Sequence, residues 1–362
     1  MKLGNLSSLD WSLYALPIIL VFVGVATIYS TTLGTNRFYL TYNQLIFLGL
    51  GVVLMFLVTF YDYRNLLGLT RLIYITTVLL LVLVAVLGKE KLGATRWIDL
   101  GFFQLQPSEL AKAGVLFLSS ALLTAHSKNW ARTIIWLVSL TVLPLVFIIT
   151  QPDLGTAIII TIIVLSLFFS CAVGRKIKIV FILILIALAP LSWMSMREYQ
   201  RERLRTFVDP ERDPRGSGYN VIQSMIAVGS GGIYGRGLGN GPQSQLNFLP
   251  VSHTDFIFAG WSEATGFIGS LALIALEMLL AWRVYRVLSV AKDTFGQYLA
   301  IGFGSMVLSQ TAINIGMNIG LAPVTGIPLP FVSYGGTSLL VSFIMIGLMQ
   351  SIYLRYRRST IS

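Results

Sequence analysis

Along this chain, runs of about 20 predominantly apolar residues recur with short polar breaks between them, the length a helix needs to cross the hydrocarbon of a bilayer. They lie near Ser12–Ser30, Thr41–Phe60, Leu67–Leu87, Ser108–Leu123, Thr133–Thr150, Leu154–Val173, Ile177–Ser195, Phe256–Ala281, Phe295–Ile319 and Gly336–Leu354. The pattern predicts an all-α polytopic membrane protein with about ten transmembrane helices. The first run follows a short polar N-terminus with no small-residue cleavage site ahead of the second, so it reads as a retained helix rather than a signal peptide. No stretch reads as a soluble domain, and residues 1–362 are expected to form a single transmembrane domain.

Composition agrees with the pattern: 55% of the residues are hydrophobic, 11% are charged, and the mean hydropathy is +0.78. The net charge of +11 would suit nucleic acid, but the placement of the basic residues points to membrane topology instead. With the N-terminus inside, the cytoplasmic segments hold fourteen basic residues, among them Arg64, Arg71, Lys128, Arg132, Arg175, Lys176, Lys178, Arg283, Arg286 and Lys292. The short outer segments hold four: Arg37, Lys89, Lys91 and Arg96. Positive charge stays inside, so both termini are expected in the cytoplasm, with membrane lipids and no nucleic acid as partners. The one cysteine, Cys171, falls in the sixth run and allows no intrachain disulfide.

One connection differs from the rest. Residues 196–254, placed outside between spans 7 and 8, are far longer than an ordinary loop, and such loops are usually functional or disordered. The segment opens with six arginines (Arg197, Arg201, Arg203, Arg205, Arg212, Arg215) interleaved with five acids. An apolar helical piece, Val221–Val228, follows and is expected at the membrane surface. The glycine run after it, GSGGIYGRGLGNG, neither follows a strand nor opens a βαβ unit, so it is no nucleotide fingerprint. Its glycines suit a close approach to a ligand or to another helix.

Ionisable residues within a span are expensive and mark functional hypotheses. Glu109 and Lys112, three apart on the fourth span, share a face and can pair; a salt bridge locking helices is the structural alternative. Asp153 sits in QPDLGTA between spans 5 and 6, where it can also cap the helix that starts at Leu154. Asp255 opens span 8 and Glu263 follows about 12 Å deeper, whereas Glu277 reads as an interface residue near the cytoplasmic end. The outer ends of several spans therefore carry polar groups that can converge on one outward-facing cavity. His126 and His253 do not make a metal pair by spacing, and motifs of zinc or serine hydrolases are missing from the sequence.

Several long motifs in order give the chain a resemblance to the SEDS family (shape, elongation, division and sporulation), and within it to the RodA branch. They are RWIDLGFFQLQPSELAK (Arg96–Lys112), QPDLGTA (Gln151–Ala157), YQRERLRTF, QSMIAVGSGG (Gln223–Gly232), QSQLNFLPVSHTDFIFA (Gln243–Ala259) and GIPLPFVSYGGTS (Gly326–Ser338). The resemblance implies a ten-span enzyme of the bacterial cytoplasmic membrane, an inverting peptidoglycan glycosyltransferase that polymerises lipid II into glycan strands during elongation. It implies a class B penicillin-binding protein as partner, undecaprenyl-diphosphate-linked glycan as donor and an outward-facing site. Two positions depart from the family pattern: Val251 stands where an acid usually follows LP, and Glu263 is followed by Ala264 rather than a second glutamate.

The implied reaction needs a base within reach of the acceptor hydroxyl and cations where charge develops on the departing diphosphate. Asp255 of the HTDF motif is expected to be the base or, alternatively, the ligand of a divalent cation, Mg or Mn, serving the diphosphate. Arg96, Lys112, Arg203, Arg205 and Arg236 are candidate phosphate partners, arginine matching phosphate bidentately. Glu109, Asp153, His253 and Ser333 complete the candidate substrate-binding set. A lipid II flippase and a noncatalytic scaffold for the penicillin-binding protein are the alternatives the sequence leaves open.

Overall fold

The computed structural model describes residues 9–33, 37–87, 89–91, 94–101, 103–125, 130–183, 196, 198–214, 216, 218–246, 248–249 and 251–361. Among the described residues, eight helices are long and apolar enough to cross a membrane: α1 (Trp11–Thr32), α2 (Tyr39–Phe60), α3 (Leu66–Leu87), α4 (Pro107–Ala125), α5 (Trp130–Thr150), α11 (Ile257–Val290), α12 (Thr294–Asn318) and α13 (Gly336–Ile361). A shorter apolar helix, α6 (Leu154–Ser170), lies between α5 and a helical segment α7 over 175–183. Most of the expected seventh span, 184–195, falls outside the described residues, as do His126, Lys128, Arg197 and Arg215. Three further helices occupy the long connection: α8 (Glu198–Val208), α9 (Tyr219–Ser230) and the single turn α10 (Pro242–Gln245).

Caps fix where the helices begin. Asp10 accepts from the Ser12 amide at 3.0 Å ahead of α1, and Asp293 from the Gly296 amide at 2.8 Å ahead of α12. Each carboxylate takes up a donor that the first helical turn leaves unpaired. The bundle is built around α13, which packs on α2; 78% of the apolar stretch of α13 is buried, against 28% for α2, α3 and α5. Those outer helices show large side chains such as Leu57, Leu79 and Ile135 to the surroundings, as lipid-facing helices do. The core runs through α1, α11, α12 and α13, with Phe295, Phe303 and Phe343 fully buried.

The sequence reading of helices alone missed a small antiparallel sheet, β1 (Lys89–Lys91), β2 (Ala94–Asp99) and β3 (Gln104–Leu105), in the order β1-β2-β3. Ile98 pairs with Leu105 and Asp99 with Gln104. Two-residue alternation over so few positions is invisible to a window tuned to 20-residue spans. The sheet carries Arg96 toward the turn between α5 and α6.

At 34 residues α11 is about 51 Å long, nine residues beyond the expected end at Ala281. Arg283 and Arg286 lie over the Trp282 ring at 5.2 and 5.1 Å, and Arg283 reaches Asp10 at 3.5 Å. The helix is also interrupted. Gly266, at φ 68° and ψ −163°, occupies a region open essentially to glycine alone. The bonds a continuous helix would make are replaced by backbone from the glycine run. Phe267 N donates to Gly232 O at 2.8 Å and Ile268 N to Ile233 O at 3.2 Å, while Arg236 N and Gly237 N donate to Glu263 O and Ala264 O at 3.0 and 2.9 Å. A break at membrane depth is tolerated when protein satisfies the freed groups. The glycines thus serve approach to a helix, one of the two uses expected of them: a Cβ on Gly235 or Gly266 would collide with the facing backbone.

Candidate active site

At one end of the bundle, the start of α6 is a junction. Asp153 is buried and caps the helix, accepting from Thr156 N at 3.2 Å and from Thr156 Oγ1 at 2.9 Å. It also accepts from Ser108 Oγ at 2.9 Å and Gln106 Nε2 at 3.4 Å, residues at the entrance to α4. Arg96 closes the turn from the other side, its Nε donating to Gln151 O at 2.9 Å and a terminal amine to Pro152 O. The strand β2, the start of α4 and the α5–α6 turn are thereby held as one piece. Gly155 completes it by lying against the Thr325 backbone, where a Cβ would clash.

Facing this junction is the turn 251–256, just ahead of α11. Its backbone is gripped by side chains of two distant segments. Asn314 Nδ2 and Asn318 Nδ2, one helical turn apart on α12, donate to Asp255 O at 3.0 and 3.1 Å. Asn314 Nδ2 also reaches Ile327 O at 2.8 Å, and Asn318 Oδ1 accepts from Ala259 N at 3.1 Å. Ser333 Oγ donates to Thr254 O at 2.7 Å and accepts from Leu329 N at 2.8 Å. The next residue, Tyr334, donates its amide to His253 O at 2.9 Å, and its ring meets the His253 ring edge-on at 6.0 Å. Gly326, at φ 72°, stands beside the carboxylate, the place of its missing Cβ lying 3.5 Å from Asp255 Oδ2.

The charges on these pieces interact. Burial pushes the Asp255 carboxyl above its usual range, the guanidinium groups of Arg203 and Arg96 pull it back, and the Asp153 charge pushes it up again. Arg203, carried by α8, is lowered by burial and by Arg96, with Tyr199, Asp255 and Asp153 acting the other way. His253 is held down to about 4 by burial and by the Arg37 charge, so its ring is neutral at neutral pH. The group amounts to two guanidinium ions acting on one carboxylate, with a second carboxylate already engaged in capping. Such a set can accept a proton and hold an anion together.

Other residues singled out in the sequence take partners of their own. Glu109 and Lys112 form a 2.8 Å ion pair with both side chains almost fully buried. Arg205 is tied within α8 to Glu198 at 2.5 Å and Glu202 at 3.4 Å. Arg236 is exposed, its Nε donating to Ser230 O at 2.9 Å. Glu263 is buried and accepts from Gln243 N at 2.8 Å, Ser244 N at 3.1 Å and Ser244 Oγ at 2.5 Å, anchoring α10. Glu277 is also buried, taking the Thr311 hydroxyl at 3.3 Å between α11 and α12. Among the described residues no three of His, Cys, Asp and Glu gather as a metal site.

Asn314 and Asn318 escaped the sequence reading. The signal was present: Gln310, Asn314 and Asn318 recur every four residues along an otherwise apolar span, which puts three amides on one helix face. All three are buried.

Comparison with known proteins agrees with this architecture from end to end. A family model described as cell cycle protein, FtsW/RodA/SpoVE, matches residues 6–358. The peptidoglycan glycosyltransferase MrdB of Escherichia coli (strain K12) is 38% identical over 312 residues, covering 84% of this chain and 83% of that protein. Stage V sporulation protein E of Bacillus subtilis (strain 168) is 34% identical, covering 97% and 99%. Among solved structures, one describing the coordination of polymerization and crosslinking by a peptidoglycan synthase complex is similar at TM-score 0.81 and 35% identity, over 97% of this chain and 98% of that one. The rod shape determining protein RodA of Thermus thermophilus is similar at TM-score 0.72 and 29% identity, with coverage of 97% and 98%. The motifs, the polytopic helical fold and these matches make the chain a member of the FtsW/RodA/SpoVE family, the SEDS proteins.

Proposed function

We propose that this protein is a RodA-type peptidoglycan glycosyltransferase that polymerises lipid II during cell elongation, with Asp255 as the general base. The observation that carries the assignment of the base is the setting of Asp255: a carboxylate poised by burial against two guanidinium ions, with the glycine Gly326 rather than a side chain beside its Oδ2.

In the reaction the 4-hydroxyl of the acceptor lipid II gives its proton to the Asp255 carboxylate. Its oxygen forms a bond to the anomeric carbon of the growing glycan, inverting it, and the bond to the undecaprenyl diphosphate breaks. The electron pair leaves on the diphosphate, where Arg203 and Arg96 stabilise the charge. Neutral His253 offers a hydrogen-bonding ring to sugar hydroxyls, and Ser333 keeps the turn in place. A divalent ion would find Asp255 as its protein ligand, since the Asp153 oxygens already accept from Ser108 and Thr156. Its other ligands would come from diphosphate and water, a usual pattern for magnesium.

The site faces the outside of the bacterial cytoplasmic membrane in this reading, with residues 196–254 as the extracytoplasmic loop of a single domain. Both substrates keep their polyprenyl tails in the bilayer and enter laterally. A class B penicillin-binding protein crosslinks the strands made here. The named relatives favour catalysis over the flippase and scaffold alternatives, because MrdB carries the name of a glycosyltransferase.

The test is polymerisation of lipid II by purified protein in detergent, with partner and divalent ion supplied, read as glycan ladders on a gel. Wild type should make polymer and Asp255→Ala should make none. Polymer from the alanine variant at the wild-type rate would remove Asp255 from the chemistry, and failure of wild type to make any would remove the activity itself.

A further inference from the structure

The interruption of α11 also has an exposed face. Above Gly266, every residue of Ile257–Thr265 is buried or half-buried. Immediately below it the helix turns a large apolar stripe outward, with Phe267 65%, Ile268 53% and Leu271 54% exposed. The apolar piece Phe267–Ala281, which ends where the cytoplasmic Arg283 and Arg286 follow, has 15 residues, roughly 22 Å, against a hydrocarbon layer of about 30 Å. The break therefore lies in the outer part of the hydrocarbon layer, within roughly 8 Å of its boundary on the Asp255 side, and the stripe beneath it is exposed at membrane depth.

The glycine-rich turn is bonded to this boundary, Gly232 to Phe267 and Ile233 to Ile268. Its own apolar side chains are uncovered: Ile233 is 61%, Tyr234 82% and Leu238 49% exposed. Side chains so exposed on a turn bathed by water would be costly, whereas here they continue the lipid-facing stripe of α11. Tyrosine is a favoured residue at such interfaces because its ring is apolar and its hydroxyl is wet. Arg236 is exposed in the same turn, a cation at the level where lipid phosphates lie.

From this we infer that the tip of the glycine-rich turn is a lipid anchor. Ile233, Tyr234 and Leu238 sit in the headgroup–acyl boundary of the leaflet next to the active site, with Arg236 against a phospholipid phosphate. The turn fixes α11 relative to the bilayer surface, and with it the height of the Asp255 turn above the lipid chains. The continuity with the stripe selects phospholipid over a protein segment as occupant. The inference rests on the membrane-spanning fold and stands whether or not Asp255 is the base.

Spin labelling tests it, helped by a native background of one cysteine, Cys171, which is buried. In a Cys171→Ala chain, Tyr234→Cys and Leu238→Cys would each carry a nitroxide in vesicles of phosphatidylethanolamine and phosphatidylglycerol. Collision with dissolved oxygen, which concentrates in lipid, is compared with collision with a water-soluble nickel chelate. Phe267→Cys gives the lipid reference and Val208→Cys, at an 82% exposed position of α8, the water reference. The expected oxygen-to-nickel ratio at 234 and 238 is several-fold above that at 208 and close to that at 267. Adding Arg236→Glu should lower the ratio at 234, and an unchanged ratio would remove the phosphate contact. Ratios equal to that at 208 would overturn the anchor, and so would labels shielded from both reagents, which would mean protein covers the turn.

Discussion

Asn318, at the last turn of α12, holds the backbone carbonyl of Asp255 through its side-chain Nδ2 at 3.1 Å while its side-chain Oδ1 accepts from the amide of Ala259 at 3.1 Å. One side chain thus fixes the residue proposed as the base and the first turn of the helix that follows it. Replacing it with alanine leaves a buried amide unpaired at a cost of about 1–3 kcal/mol. A misplacement of the order of 1 Å in a reacting group costs about 10²-fold in rate. Asn318→Ala is expected to remain foldable and to lose polymerisation by about that factor, with kcat falling more than KM rises. Size-exclusion profiles in detergent and lipid II turnover check the two halves separately.

The balance of charge around Asp255 gives a pH prediction with a definite sign. Arg203 draws the Asp255 pKa down against the upward push of burial. Arg203→Gln removes that pull, the carboxyl pKa rises, and the protonated, inactive form persists to higher pH. The acid limb of the polymerisation rate should therefore move to higher pH, and at neutral pH the rate should fall. An acid limb that stays in place, or moves lower, would show that Asp255 does not feel Arg203. His253, held at about 4, should contribute nothing to the profile above about pH 5.

For Glu109 and Lys112 the prediction separates frame from site. A buried ion pair broken on one side costs about 3–5 kcal/mol because a charge is left unpaired. Lys112→Met and Glu109→Gln should each lower the yield of folded protein, and the double variant should recover it. Recovery of polymerisation with folding would make the pair part of the frame, whereas folded but inactive double variant would assign it to substrate.

Gly266→Ala should destabilise the protein sharply. Its backbone conformation excludes a Cβ at a cost of about 1–3 kcal/mol, and the added carbon would meet the backbone of Ile233 and Gly235. A melting temperature in detergent well below that of wild type is expected, and an unchanged one would mean that α11 is continuous in the membrane.

The spans were readable because their signal is long and repeated: apolar runs of about 20 residues have few alternative explanations. The C-terminal end of α11 was not, since Trp282 with the arginines that follow it is amphipathic and reads equally as helix or as loop. The small sheet that carries Arg96 was hidden by its brevity. Within the site, acids were visible in the sequence because charge in an apolar chain is conspicuous. Asn314 and Asn318 were not, because an amide in a span attracts little attention until its partner is known, and that partner is a backbone carbonyl some 60 residues earlier in the chain. Arg205 and Arg236 were selected by residue type, which does not foretell the partners the fold gives them, Glu198 and Glu202 for one and the Ser230 carbonyl for the other.

The glycine-rich turn that completes α11 also imposes an order on assembly. Its residues precede the helix in the chain, so during synthesis they emerge before the span they seal. Until they dock, the segment around Gly266 carries unpaired amides and carbonyls that oppose its settling into lipid. Stable settling of this span in the bilayer is therefore tied to closure of the turn, whose backbone supplies the missing partners.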